Sequence, residues 1–328
     1  MSEGIHAGAR VRAVAHRLEQ AFGTSPFHTS HARRAGISDD RVERACAQGL
    51  AERLGRGWYA VVPEDAQRLS RLSVLLDSNP GILACGSTAA ALWGMPVPPG
   101  YAGPATGIEV AFRDGSGGLR GQRLGATARR WHVPDDHLAY DANGYPATDP
   151  LRTAIDLARG LPLPFALAAL DAGLRVAVTA GADREQAHDR LHHHWLGLRR
   201  GKGMRRVGLA IPHADDRAES LLESIVRGQM IQARLPAPIL QVDVMGASGR
   251  WYRSDMGLDL PGDPPGSHRL LIEADGLLKY QAPEDLADEK KRQHDLERRG
   301  HVFVRVLYRE GVYEPEGFLG EISRRLHP

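Results

Sequence analysis

The chain has 328 residues, 42% hydrophobic and 25% charged, and its 42 basic against 40 acidic side chains leave a formal charge of +2. That is the composition of a soluble globular protein of two or three domains, with no run near the ~20 apolar residues that span a bilayer. The charge is too small for the whole chain to act as a polyanion binder, so any nucleic-acid contact must come from local basic patches. Cys46 and Cys85 stand far apart without a CxxC partner, which excludes a disulfide framework and a thiolate zinc site. The opening MSEGIHAGARVRAV has no apolar signal core, so a cytoplasmic location and no membrane association are expected.

Texture divides the chain into 8–62, 66–180, a joint over 181–215, and 216–328. In the first stretch, Val11, Val14, Ala15, Leu18 and Phe22 recur at helical spacing. Ser25-Pro26 starts a second short helix that Gly36 closes, and Ser38 caps a third over DDRVERACAQ, with Val42, Ala45 and Cys46 inward and Arg41 and Arg44 outward. GLAERLGRGWYAV then reads as a hairpin with a basic tip. Helix-turn-helix spacing followed by a wing predicts a winged helix-turn-helix.

Gly36-Ile37-Ser38, the basic helix, Gly49-Leu50 and Arg56-Gly57-Trp58-Tyr59-Ala60 resemble the N-terminal winged helix of AbiEi-family antitoxin-like proteins. The resemblance implies that 39–48 enters a major groove and that Arg53 and Arg56 meet phosphate, beside Arg41 and Arg44. It continues through GSTAAALWGMPVP at 86–98 and TDPLRTAIDLAR at 148–159, predicting a middle α/β unit. Thr148 or Asp149 with Pro150 makes a helix start, and Ala154, Ile155, Leu157 and Ala158 its buried face. Ser87, Thr88, Arg152, Thr153 and Asp156 are read as capping and buried pairing rather than chemistry, because no nucleophile and base are paired. In the joint, DREQAHDRLHHHWLG reads as a helix end, with His192-His193-His194 exposed, and Arg199, Arg200, Lys202, Arg205 and Arg206 as a basic linker.

From 216 the pattern predicts helix, strands at 238–245, 250–258 and 269–275, a helix started by Pro283 and stopped by Gly300, and a strand at 301–308. This αβββαβ order resembles the PD-(D/E)xK restriction-endonuclease-like core, so the expected fold is a mixed α/β multidomain chain. Glu223 on the helix, Asp255 on the second strand, and Glu273 and Asp275 on the third bring carboxylates to one end of a sheet. Such a cluster repels itself unless a divalent cation neutralises it, and Mg²⁺ (or Mn²⁺) there would activate water for phosphodiester cleavage. Taken singly, Glu223 has Arg227 at i+4, Asp255 has Arg253 beside it, and Asp275-Gly276 is a turn signal.

Ser220-Leu221-Leu222-Glu223, Gly249-Arg250, Arg253-Ser254-Asp255, Ile272-Glu273-Ala274-Asp275-Gly276, Asp288 through Arg292 and Arg299-Gly300 resemble the endonucleases related to very-short-patch repair. That resemblance implies catalytic roles for Glu223, Asp255, Glu273 and Asp275, with Asp255, Glu273 and Asp275 on the metal. Two departures stand out. Lys279 occupies the place of the family's histidine, as a substitute point charge or as the mark of a degenerate site, and Met256-Gly257-Leu258 replaces an aliphatic-aromatic pattern. Lys290, Lys291, Arg292, Arg298 and Arg299 offer a helix face for phosphates or for solvent. The expected function is a DNA-binding, metal-dependent endonuclease in phage defence or DNA repair; the alternative is an AbiEi-like antitoxin or repressor with a silent nuclease fold. A partner toxin or homodimer stays open.

Overall fold

The computed structural model describes residues 17–18, 20–23, 25–47, 51–61, 64–103, 107–114, 126–275 and 283–327, and side chains among them except 64–68, 275 and 283–287. The fold is mixed α/β, with three sheets. By contact the chain forms two compact units, 1–89 with 103–149, and 90–102 with 150–328. Among the described residues no helix is long and apolar enough to cross a membrane.

In the first unit, β1 (Phe27–His28), α1 (Thr29–Arg34), α2 (Asp39–Ala47), β2 (Glu52–Gly55) and β3 (Trp58–Ala60) follow one another, with sheet order β1-β3-β2. The expected helix from Pro26 begins later. Phe27 pairs with Tyr59 in the sheet and buries there, and the His28 side chain accepts the Ser30 N–H to start α1. Leu18, Phe27, Ala32, Ile37, Val42 and Tyr59 form the core. Gly57 turns the hairpin at φ +77°, and a Cβ there would come within 2.5 Å of the His28 ring. Val11, Val14, Ala15 and Gly49-Leu50 lie outside the described residues.

The same unit holds α3 (Glu64–Ser78), β4 (Ile82–Ala84), the start of α4 (Gly86–Leu92), β5 (Ile108–Phe112), β6 (Ala126–Arg129), β7 (Leu138–Tyr140) and β8 (Pro146–Thr148). The sheet order is β6-β5-β4-β8-β7, with β5/β6 and β4/β8 parallel and β4/β5 and β7/β8 antiparallel. Cys85 is buried with Leu83, Ala111 and Val133, whereas Cys46 is half-buried.

The second unit opens with α5 (Pro150–Ala158), α6 (Leu163–Thr179), α7 (Arg184–Leu198) and α8 (Met204–Ala210). The expected basic linker is split: Arg199, Arg200 and Lys202 lie in the turn between α7 and α8, whereas Arg205 and Arg206 ride on α8, whose Met204, Val207 and Ala210 recur at helical spacing and enter the core formed by α5, α6 and α7. His194 is buried, not exposed, because it falls on the α7 face of Ala187 and Leu191.

Then come α9 (Leu221–Gln232), which starts five residues after the expected helix start at 216 because Ser220 caps it, and β9 (Ile239–Met245), β10 (Trp251–Asp259), β11 (Arg269–Asp275), α10 (Pro283–Arg299) and β12 (Val302–Leu307), these close to the expected bounds. Two closing helices, α11 (Tyr308–Tyr313) and α12 (Glu316–Leu326), lie beyond the expected order. The sheet runs β12-β11-β10-β9, with β9, β10 and β11 antiparallel and β12 parallel to β11. One feature breaks simple alternation. Gln241 has φ +50°, and across it β9 changes face: Val242 and Val244 pack with Leu296 of α10, Leu240 with the α9 cluster. β10 does the same between Tyr252 and Met256, so Asp255 stands at the crossover.

Candidate functional site

The crossover brings polar groups to one end of the C-terminal sheet. The regular β10/β11 register runs from Asp259↔Arg269 to Met256↔Ile272. Beyond it the Ala274 amide donates to the Asp255 carboxylate at 2.9 Å. Glu273 is buried and accepts the Ser254 hydroxyl at 2.6 Å. Arg292 of α10 stands over the same Glu273 oxygen, Nη2 at 3.3 Å and Nη1 at 3.4 Å. Burial raises the Glu273 carboxyl above its ordinary range, outweighing the pull of Arg292 and Ser254, and the Asp255 charge pushes the same way.

Arg292 is itself only 18% exposed. Its Nε and Nη2 close on the two Glu289 oxygens at 2.7 and 2.8 Å, and Arg305 adds a bond to Glu289 at 2.8 Å. Burial opposes ionisation of Glu289, but these guanidiniums hold its carboxyl below the usual range; the Glu289 bonds raise Arg292 above its own.

Glu223 is also engaged. Ser220 caps α9 by accepting the Glu223 N–H, and the Glu223 carboxylate accepts the Glu219 N–H and the Gln241 amide, each at 2.9 Å. The left-handed conformation of Gln241 aims that amide at Glu223, while its oxygen accepts from Arg253 at 2.8 Å. Arg253 also pairs with Glu219, not with Asp255. Arg227, the i+4 candidate for Glu223, goes instead to Asp171 of α6.

Asp255 and Glu273 thus share the sheet end, each with internal donors, while Glu223 joins a separate Gln241/Arg253/Glu219 network. Oxygen donors of this kind suit Mg²⁺. Yet among the described residues no group of three acidic or imidazole ligand atoms within 4.8 Å of one another includes Glu223, Asp255 or Glu273. The Asp275 side chain and the whole of Lys279 lie outside the described residues.

Lys290 and Lys291 are exposed on α10, Lys291 paired with Asp288 at 2.8 Å, whereas Arg292 is turned inward to Glu273 and Glu289. The signal for Arg292 was present in Glu289, three residues before it, but its partner on β11 is a tertiary fact.

In the first unit Arg41, Arg44, Arg53 and Arg56 are all exposed, the first two on α2 and the others on the β2/β3 hairpin. Arg53 lies over the Tyr59 ring at 6.0 Å. Asp39 at the start of α2 is taken by a bidentate Arg33 at 2.8 and 2.5 Å. Burial pushes the Cys46 thiol up to about 11, so it is no nucleophile at neutral pH.

In the middle stretch the buried polar side chains pair with one another. Glu109 of β5 is fully buried; one oxygen accepts the Ser87 N–H and hydroxyl at 2.8 and 2.7 Å, the other Arg129, while Thr88 accepts the Glu109 N–H. Arg152 and Asp156 pair at 3.0 Å within α5, with Thr153 buried between them. Glu109 was missed because a lone acid in IEVAF reads as the solvent face of an edge strand.

Residues 82–208 match the model of the AbiEi antitoxin C-terminal domain, so the middle of the chain is similar to that domain, and the C-terminal sheet lies outside the match. The uncharacterized protein Rv2248 of Mycobacterium tuberculosis H37Rv is 31% identical over 278 residues, covering 83% of this chain and 92% of that protein. The uncharacterized protein MT2308 of strain CDC 1551 / Oshkosh matches to the same extent. The chain belongs to the family of these mycobacterial proteins.

Proposed function

We propose that the protein is a DNA-binding regulator of the AbiEi antitoxin type, whose αβββαβ C-terminal core keeps a nuclease-like order without cutting. The observation that carries this reading is the set of exposed guanidiniums, Arg41 and Arg44 on α2 and Arg53 and Arg56 on the hairpin, on a chain whose middle matches an antitoxin domain. As a winged helix-turn-helix, α2 would lie in a major groove and the hairpin would meet the adjoining backbone. The antitoxin match also supports a partner toxin.

The test is fluorescence anisotropy with duplex DNA at several salt concentrations. Binding should weaken steeply with salt, and each of Arg41→Ala, Arg44→Ala, Arg53→Ala and Arg56→Ala should lower the log–log salt slope by about one if its guanidinium meets a phosphate. Unchanged binding by the fourfold variant would remove this reading.

A second reading, a Mg²⁺- or Mn²⁺-dependent endonuclease, is favoured by the element order over 221–307 and by Asp255 beside Glu273. Divalent-dependent cleavage of supercoiled plasmid, abolished by Asp255→Ala, would establish it in place of the silent core.

A further inference from the structure

We infer that Arg292 is the resident counter-ion of the Asp255/Glu273 pair, a tethered guanidinium holding the ground that a divalent cation would take; this deepens the silent-core half of the proposed reading. Charge gives the first argument. The described side chains at this sheet end comprise three carboxylates, Asp255, Glu273 and Glu289, and two guanidiniums, Arg292 and Arg305. Among these described side chains one negative charge is left, so Arg292 and Arg305 cancel much of the field that draws a doubly charged ion.

Geometry gives the second. Arg292 touches Glu273 with both terminal nitrogens, while Nε and Nη2 are locked on Glu289 and Nη1 also reaches the Arg253 carbonyl at 3.4 Å. Glu289 is held in turn by Arg305, which stands opposite Glu273 in the β11/β12 register and also bonds Gln293 at 3.1 Å. A cation seated on Glu273 would have to push this guanidinium aside. Displacement breaks a bidentate pair and leaves a largely buried guanidinium less well paired, a penalty that a free ion does not recover from one carboxylate.

The other described acids of the expected set are engaged as well. Asp255 accepts the Ala274 amide, and Glu223 is bound to the Gln241 amide through a left-handed backbone. Glu223, Asp255 and Glu273 thus each have a donor drawn from their own neighbourhood, of the kind a protein uses when no ion is to be held.

The experiment is Mn²⁺ titration of the full chain, read by the electron paramagnetic resonance of free Mn²⁺, for wild type, Glu273→Gln, Arg292→Met and the Arg292→Met/Glu273→Gln double variant. Wild type is expected to show no Glu273-dependent site tighter than about 1 mM, the weak end for hard cations on proteins. Arg292→Met should gain Mn²⁺ affinity by about tenfold or more, and the double variant should lose that gain. Saturable binding by wild type that a Glu273→Gln protein with native near-ultraviolet circular dichroism lacks would overturn the inference. So would an Arg292→Met protein with native near-ultraviolet circular dichroism and no gain. Loss of duplex binding on substituting the α2 and hairpin arginines concerns the other unit, so the two readings fail separately.

Discussion

Arg227→Met is the perturbation whose outcome the structure sets most firmly. Asp171 of α6 is fully buried and Arg227 of α9 nearly so; they bond at 2.7 Å. Arg227 also donates to the His213 carbonyl at 2.5 Å, and the Asp215 N–H donates to the second Asp171 oxygen at 2.8 Å. Methionine keeps the apolar stem but strands a carboxylate and a carbonyl. Breaking one side of a buried pair costs about 3 to 5 kcal/mol, which in a unit of this size lowers the melting temperature by about 6 to 20 °C. Adding Asp171→Asn removes the stranded charge while keeping an acceptor for the Asp215 N–H, so the double variant should recover most of the loss. Burial pushes the Asp171 carboxyl up to about 6, against the opposing pull of Arg227. A carboxyl raised in the folded state contributes stability that is full below its ordinary value near 3.8 and is lost as pH rises through about 6. Without Arg227 the carboxyl ionises still less readily, so the variant should be penalised more at pH 8 than at pH 5. Urea denaturation of single and double variants at both pH values measures this. A loss below about 1 kcal/mol, or no recovery in the double variant, would refute the account of this pair.

His301 should make the protein acid-sensitive: its Nδ1 accepts the Arg269 N–H at 3.1 Å while Nε2 faces the Met245 carbonyl, and burial lowers its pKa. Stability is then full above its ordinary value near 6.5 and falls as pH drops below it, and His301→Gln should flatten the urea midpoint between pH 7.5 and 5. Gly228→Ala should destabilise by up to about 2 kcal/mol in urea denaturation: its Cβ would sit 2.5 Å from the Pro164 Cα, and overpacking of about 1 to 3 kcal/mol is offset only in part by alanine's helix advantage of about 1. Ser87→Ala removes one of the donors to buried Glu109 and should lower stability by about 1 to 3 kcal/mol in thermal melts, without changing DNA binding.

Element type and order were legible in the sequence wherever apolar period and punctuation agreed. Pro283 and Gly300 around α10, and the alternating or continuous apolar runs of β9 to β12, placed those elements within a residue or two, whereas α9 is shorter than the helix expected over 216–235. The α2 face, with Val42 and Ala45 inward and Arg41 and Arg44 outward, was equally plain. These are properties of neighbours in the chain, settled by local propensity and capping. Partner choice is not such a property. Nothing near Arg227 names Asp171, 56 residues away, and spacing favoured Glu223. Arg292 reads as part of a solvated basic face until the fold brings β11 beneath it. Gln241 carries no glycine or proline to announce a left-handed residue, yet it moves β9 from one face to the other and sends Glu223 away from Asp255 and Glu273. The sequence by itself determined which acids and bases the molecule possesses and on which elements they ride. Only the tertiary structure decided which of them neutralise one another, because a buried charge takes whatever opposite charge or dipole the packing brings within about 3 Å.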